Sequence, residues 1–513
     1  MALIPDRTKK MKRIVEQYDS QVQRFLEILP GTLAWTIILF PFWGAFFIPQ
    51  FVAYFTIAFL VYWFYRSFQT AFLGIAGYFK IKQAEKINWY RQYQKNKTKD
   101  SLSWKDIRHL IIIPNHKESV EKIALNLQSL AKQKNIDKKQ LVVVLAMEER
   151  APGHQERAKK LVKQFRGKFG RLWVAVHPDG LAGEIRGKAS NEAWATKIAK
   201  EKLVDRMGYN INHVTLTSCD ADAQFHPRYF SALTYEFALN LHRHLRFWQS
   251  PIFWYNNLYR VPAFIRIIGI MGNTLHIANI QEPDGLFFNY SCYSSSLKLI
   301  DEVGYWHTDI IPEDWHIFLQ TFFHNQGQVE VKPILLPTNI DAAEGPTYLA
   351  SLKSRYKQCQ RHAWGATDIP YAVKQAIKHS EIPIWTRILR IYKIIETHLI
   401  WSTNWFILTL GAWIPTLVNP VFRQTALGYN LPKISRAILT TCLLSLLIMI
   451  IIDLALRPKK PKDYSFWSNL TYYLQWIMMP VASLFMSVLP GLDAQTRLML
   501  GKRLEYWVTE KID

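Results

Sequence analysis

The chain predicts an α/β domain with a mostly parallel sheet, inserted between hydrophobic helices that cross a membrane. Three observations predict it. β-type runs alternate with helical stretches between residues 109 and 219, uncharged apolar bands flank that region, and basic clusters sit at the ends of the bands. Strand–helix alternation builds a parallel sheet covered by helices. Apolar runs of roughly 17–25 residues are what a helix needs to cross a bilayer.

At 513 residues the chain exceeds one compact core. Residues 1–30 read as a polar, partly helical lead. A transmembrane hairpin over 31–77 follows, made of the bands Leu33–Ile48 and Phe51–Tyr65. The alternative for this pair is two buried core helices. A signal peptide is not expected, because its apolar core would stand near the start. A basic linker covers 78–104, and the α/β domain covers 105–370.

Within the domain, His109–Pro114 is the first strand, and Gln140–Ala146 and Leu172–His177 follow. Helices Glu118–Lys134, Gln155–Phe165 and Ser190–Met207 alternate with them, and His213–Cys219 is the next strand. Tyr371–His379 and Trp385–Lys393, within 371–395, carry apolar residues with Lys, Arg and Trp at helical spacing. Such helices lie in a membrane interface or pack on the soluble domain. Three further bands, Leu399–Val418, Ala437–Ile452 and Trp467–Leu489, make a C-terminal transmembrane group over 396–490, and 491–513 is a tail.

The net charge is +23, and its placement decides more than its size. Lys9, Lys10, Lys12 and Arg13 precede the first band. Seven cations from Lys80 to Lys99 follow the second, and Arg457, Lys459, Lys460 and Lys462 follow the fourth. The positive-inside rule puts all three clusters in the cytoplasm. That predicts a multi-pass protein of the plasma (inner) membrane with its central domain in the cytoplasm. Contact with anionic lipid headgroups accounts for the basic runs, so no nucleic acid is expected as a partner. Five spans would leave the tail outside, against the preference of Arg497, Lys502, Arg503 and Lys511. Either the fifth band is re-entrant near Pro480 or the charge rule fails there. Four widely separated cysteines indicate a reduced compartment without a disulfide framework.

Asp220-Ala221-Asp222 closes the fourth strand and leaves two carboxylates at its carboxyl end. Open α/β sheets bind ligands there, and paired carboxylates suit Mg²⁺ or Mn²⁺ sharing its coordination with substrate phosphates. An isolated Asp-X-Asp is also a common turn. Downstream stand Glu313-Asp314-Trp315 and Gln358-Cys359-Gln360-Arg361. A further carboxylate and a permanently charged arginine complete a set suited to moving a group off a diphosphate.

In this order the motifs resemble membrane-integrated family-2 glycosyltransferases of the cellulose-synthase-like type, from about Leu110 to Gly365. The resemblance implies a GT-A (nucleotide-diphospho-sugar transferase) domain between transmembrane helices. Ile113-Pro114-Asn115-His116-Lys117-Glu118 is similar to the signature of the first strand, with Lys117 where Asn is usual. Glu148-Glu149 stands where the family has an Asp pair touching the nucleoside; a solvated loop is the other reading. Gly187-Lys188-Ala189-Ser190-Asn191 is similar to an element opening a helix beside the nucleotide, where a lysine meets phosphate, although such a motif alone is more often a surface lysine. By resemblance Asp222 binds the cation, and Asp220 serves the nucleotide side of the donor and shares the metal. His226 is expected to be a loop histidine. Asp314 is the base that takes the acceptor's proton, with Glu313 in support; both also suit a helix start. Gln358 and Arg361 hold the diphosphate.

His362 replaces the tryptophan that stacks on the acceptor in chain-extending relatives, and Trp364 offers another stacking surface. Phe287–Ser296 is either acceptor-contacting backbone or a plain strand and turn. The resemblance thus implies an inverting hexosyltransferase, dependent on Mg²⁺ or Mn²⁺. Its partners are a nucleoside-diphosphate sugar, a glycan acceptor and membrane lipids. Single-sugar transfer to a lipid or lipid-linked acceptor is the alternative. A non-catalytic membrane scaffold comes next, and a transporter last.

Overall fold

The computed structural model describes residues 12–13, 15–283, 285–461 and 466–505. Lys9, Lys10, Lys462, Lys511 and the end of the predicted tail, residues 506–513, lie outside the described residues. The chain divides into two compact units. One comprises Phe79–Leu258 and Ile280–Ala342. The other comprises the chain up to Tyr78, Tyr259–Asn279, and the chain from Ala343 onward.

The first unit is built on ten strands: β1 (Arg108–Asn115), β2 (Leu141–Glu148), β3 (Arg171–His177), β4 (Val214–Ser218), β5 (Gln224–Phe225), β6 (Arg246–Gln249), β7 (Ile252–Phe253), β8 (Tyr293–Ser296), β9 (Glu330–Pro333) and β10 (Thr338–Asn339). Seven form one sheet in the order β3-β2-β1-β4-β8-β6-β9, and β5-β10-β7 form a smaller one. The four leading strands pair in parallel, and β8 runs antiparallel to both β4 and β6. The predicted mostly parallel α/β sheet is therefore present.

The leading strands are continuous Ile, Leu and Val runs because helices cover both their faces. Every residue of β2 is buried. The core gathers Ile111, Ile113, Val143, Leu145, Phe230 and Trp248. The helix Val120–Ala131 begins where Ser119 Oγ accepts the Lys122 N–H at 3.1 Å. From that helix Asn126 Nδ2 donates to Asp220 O at 2.9 Å and fixes the turn after β4. The predicted helix from residue 190 to 207 is Lys188–Lys200, continued by a wider turn over Glu201–Arg206. The chain moves outward from β1 through β2 to β3, then returns to the other side of β1 as β4. That reversal opens a crevice at the carboxyl ends of β1 and β4.

The second unit is helical. Among the described residues, four helices are long and apolar enough to cross a membrane: Asp19–Phe47, Pro49–Ala84, Ala426–Leu456 and Leu470–Met499. The first two form a hairpin whose turn depends on Gly44, since a Cβ there would lie 2.7 Å from Val52 Cγ2. The sequence predicts five spans. The difference is the third band, Leu399–Val418, which is not one helix.

Its first half completes the 27-residue helix Ile384–Leu410, which includes the predicted amphipathic stretch from Trp385. The chain stops at Gly411 and restarts as Ile414–Val418. Pro415 has no N–H for the carbonyl four residues back, and its ring crowds that carbonyl. Thr56 Oγ1 donates to this Gly411 oxygen instead, at 3.2 Å. The fifth band is not broken at Pro480. That residue sits in the first turn of Met479–Ser483, where a missing N–H costs little, and the helical rod continues to Met499.

Candidate active site

The crevice at β1 and β4 holds a cage of carboxylates around one ammonium. Lys188 Nζ lies 2.9 Å from Glu313 Oε1, 3.1 Å from Asp220 Oδ1, 3.8 Å from Asp314 Oδ1 and 3.9 Å from Glu192 Oε1. It also donates to Ser291 O at 3.1 Å. Three local features bring these groups together. Asp220 follows β4, Glu313 and Asp314 open the helix Glu313–His324, and Lys188 opens the helix Lys188–Lys200. Carboxylates at a helix start are favoured by the unsatisfied N–H groups there.

Ser291 joins the two sides of the cage. Its N–H donates to Asp314 Oδ2 at 2.7 Å, and its Oγ donates to Asp220 Oδ2 at 2.6 Å. Its backbone φ of 56° is uncommon for a residue with a side chain. Such a conformation persists only where surrounding contacts hold it. Asn289 Nδ2 adds a bond to Asp314 O at 2.9 Å.

The charges are strongly coupled. Burial favours the neutral amine of Lys188, yet Asp220, Glu313, Glu192 and Asp314 outweigh it and hold its pKa well above the ordinary value. Burial, together with the adjacent Glu313 charge, raises Asp314 well above the usual carboxylate range. Glu313 is held below that range: Lys188 and a hydrogen bond from Asp314 overcome its burial. The two neighbouring carboxyls are thus shifted in opposite directions. Glu192 is pushed up to about 8 by burial, although Ser218 Oγ donates to it at 2.6 Å.

Asp222 is buried and points elsewhere in the crevice. Its Oδ2 accepts the Asp341 N–H at 2.6 Å, and Asn256 Nδ2 donates to its backbone oxygen. Asp341 in turn pairs with buried Lys122 at 2.7 Å. The donor set decides whether Mg²⁺ or Mn²⁺ suits this place. Among the described residues no three His, Cys, Asp or Glu side chains group as metal ligands. Asp220 and Asp222 thus do not make an all-protein cage. Two hard carboxylates at a switch point do fit a cation that takes its other ligands from water and a diphosphate. His226 is a loop residue whose Nδ1 accepts the Arg228 N–H at 3.2 Å.

Beside the cage, at the ends of β2 and β3, lies a cleft of about 310 Å³ lined in part by Glu148, Arg150, His177, Asp179, Arg186 and Ser190. The two glutamates at the end of β2 divide their work. Glu148 pairs with Arg150 and lies 3.5 Å from His116 Nδ1. Burial raises its pKa, partly offset by Arg150. Glu149 Oε2 accepts the Asp179 N–H at 3.0 Å and braces the loop that follows β3.

Gln358, Arg361 and His362 belong to the second unit, on the helix Tyr348–Ala363, and Trp364 opens the turn that follows. Gln358 is buried and its Oε1 accepts from Arg355 Nη1 at 2.8 Å. Arg361 is partly exposed, His362 exposed and Trp364 buried. Gly365 is required by close packing, since a Cβ there would meet the His398 ring at 3.2 Å.

Sequence reasoning missed Glu192 and the bridging role of Ser291. The signal for Glu192 was its spacing, four residues after Lys188 on one helix face. Ser291 lies inside the predicted acceptor-contacting stretch, and only the pairing of β8 with β4 reveals its position.

No protein-family model matches the chain, and no curated protein sequence matches it. Among solved structures it is similar to the mannosyltransferase PcManGT from Pyrobaculum calidifontis in complex with GDP-Man and Mn²⁺. The identity is 13% and the TM-score 0.40, over 85% of this chain and 100% of that one. It is also similar to GalNAc-T7 with UDP, GalNAc and Mn²⁺, at 11% identity and TM-score 0.33, over 57% of this chain and 58% of that one. A third similar structure is S. aureus TarS 1-349, at 11% identity and TM-score 0.33, over 66% of this chain and 91% of that one.

Proposed function

We propose that this protein is an inverting glycosyltransferase of the plasma (inner) membrane. It takes a hexose from a nucleoside-diphosphate donor in the cytosol and passes it to a glycan acceptor. The observation that carries this reading is the Lys188 cage, where Asp220, Glu313 and Asp314 meet one ammonium at the sheet's switch point. Asp314 is the acceptor's base. Its raised pKa suits proton capture near neutral pH better than an ordinary carboxylate would.

Ser291 aims the Asp314 carboxylate, and Glu313 keeps the Lys188 charge beside it. Glu148 and Arg150 line the cleft that takes the nucleoside. Asp222 and Asp220 would hold Mg²⁺ or Mn²⁺ together with the donor, and the ion would supply charge stabilisation for the diphosphate leaving group. Gln358 and Arg361 take their part toward that diphosphate from their motif. His362, exposed where chain-extending relatives have tryptophan, favours single-sugar transfer to a lipid-linked acceptor as the second reading.

The test is a donor screen on the full chain in nanodiscs with Mg²⁺ or Mn²⁺, wild type against Asp314→Asn. Release of nucleoside diphosphate from one donor, lost in the variant, is the expected result, and product size separates the two acceptor readings. No release from any donor, or equal release by the variant, overturns the proposal.

A further inference from the structure

We propose that the second unit binds the phosphate headgroup of a membrane lipid in a site built around Tyr472. Three cations surround this buried ring: Arg457 at 4.5 Å from its centroid, Arg266 at 4.9 Å and Lys460 at 5.5 Å. Lys460 also lies 5.1 Å from the Tyr473 ring. One buried carboxylate, Asp453, stands in the same region, a turn before Arg457 on the chain. Among the described residues, three cations and one carboxylate meet at this ring, and the arginine and lysine donors are of the kind that bind an anion.

Two hydrogen-bond donors define where that anion belongs. Gln475 is 4% exposed, and its Oε1 accepts from Arg266 Nε at 2.8 Å. That bond leaves Gln475 Nε2 buried with no acceptor, and Arg457 Nη1 is buried with none either. A buried donor left unmatched costs about 1–3 kcal/mol, so both gain from an incoming oxygen. A phosphate offers several anionic oxygens and suits the planar fork of arginine.

The surroundings point to a lipid rather than a free anion. The cluster lies where the apolar helix Ala426–Leu456 ends and a basic run begins. Basic pockets between helices at that depth are placed to take headgroups. Ile451, Leu454, Leu474 and Ile477 are exposed along the adjoining helices and offer apolar surface to acyl chains. Arg266 comes from the helix Ala263–Asn279, which the chain sends into this unit from between β7 and β8. It packs there against Ala426–Leu456 and Met479–Ser483. The proposal requires only the membrane placement and stands apart from sugar transfer.

The test is native mass spectrometry of the full chain in dodecyl maltoside. Added phosphatidylglycerol, a long-chain isoprenyl phosphate, diacylglycerol and inorganic phosphate are compared. One tightly retained copy of a phosphate-bearing lipid is expected, without retention of diacylglycerol and without competition from millimolar inorganic phosphate. The better retained of the two lipids names the source of the headgroup. Arg457→Gln should weaken retention at least tenfold.

Should Arg457→Gln fail to fold, Gln475→Leu and Lys460→Gln decide, each expected to weaken retention several-fold with an unchanged melting profile. Equal retention of diacylglycerol, unchanged retention in the variants, or displacement by inorganic phosphate overturns the proposal. Donor hydrolysis sensitive to Asp314→Asn is a separate readout, so the two proposals fail independently.

Discussion

Replacing Lys188 by methionine removes the cation that joins Asp220, Glu313, Asp314 and Glu192, and the cost follows from the distances. At an effective dielectric of about 20, a unit pair near 3 Å interacts by about 5 kcal/mol. Glu313 and Asp220 stand at 2.9 and 3.1 Å from the ammonium. Desolvation of the charges and repulsion among the carboxylates offset much of that attraction. The net cost of leaving a buried charge without its partner is about 3–5 kcal/mol. For a unit of this size 1 kcal/mol shifts Tm by about 2–4 °C, so the variant should melt roughly 6–20 °C below wild type at pH 8.

The penalty should also depend on pH with a definite sign. Without the ammonium, the folded pKa values of Asp314 and Glu192 rise further above their unfolded values, and Glu313 loses the charge that holds it down. Their contribution to stability is then present at low pH and is lost as pH rises. The variant should recover part of its deficit at pH 5.5. Wild-type Lys188, with its pKa held well above the ordinary value, stays charged throughout. Thermal unfolding followed by tryptophan fluorescence at both pH values measures this. Lys188→Met combined with Asp314→Asn should be less damaged than the two single costs added, because each relieves the other. A Tm within about 2 °C of wild type at pH 8, or a deficit unchanged at pH 5.5, would refute the cage as the organiser of the site.

Three further outcomes are expected. Burial holds the His109 imidazolium down at about 3, between Thr215 and Thr234. Below pH 6.5 the unfolded chain therefore takes a proton that the folded chain refuses, and stability falls by about 1.4 kcal/mol per pH unit toward that value. His109→Gln should flatten the slope in denaturant titrations at pH 7 and 5. Ser291→Ala removes the bond to Asp220 but keeps the N–H to Asp314. It should cost about 1.5–3 kcal/mol in thermal unfolding and leave the pH dependence of donor turnover in place. A shifted acid limb would show that the hydroxyl also tunes Asp314. Thr56→Val should destabilise the second unit by about 1 kcal/mol through the Gly411 carbonyl, and Pro415→Ala, which restores an N–H to that carbonyl, should suppress the loss.

What the sequence made legible is what short segments decide by themselves. β1 and β2 are readable because both faces are buried, so their Ile and Val runs have no polar interruption. Asp220, Asp222, Glu313 and Asp314 are readable because a strand end and a helix start are local features. Glu192 reads as an ordinary helix acid until β4 brings Ser218 to it. Ser291 bridges two carboxylates only once β8 has paired antiparallel with β4. The helix Ala263–Asn279 lies within the predicted α/β domain, but its apolar surface is taken by the helices of the other unit.

The third band shows most directly what a hydropathy reading omits. Averaging over Leu399–Val418 counts apolar side chains and takes no account of whether the backbone bonds between them are continuous. Pro415 removes one such bond at Gly411 O, and the carbonyl is satisfied from another helix by Thr56. A lipid-facing segment has no water to repair such a break, so this stretch holds together only inside a helical unit that supplies the missing donor. The count of long apolar helices then falls from five to four. Were all four to cross, the even count would put Arg497, Lys502 and Arg503 on the side of Lys12 and Arg13. What separates the two counts is the break before Pro415, which a mean over twenty residues does not register.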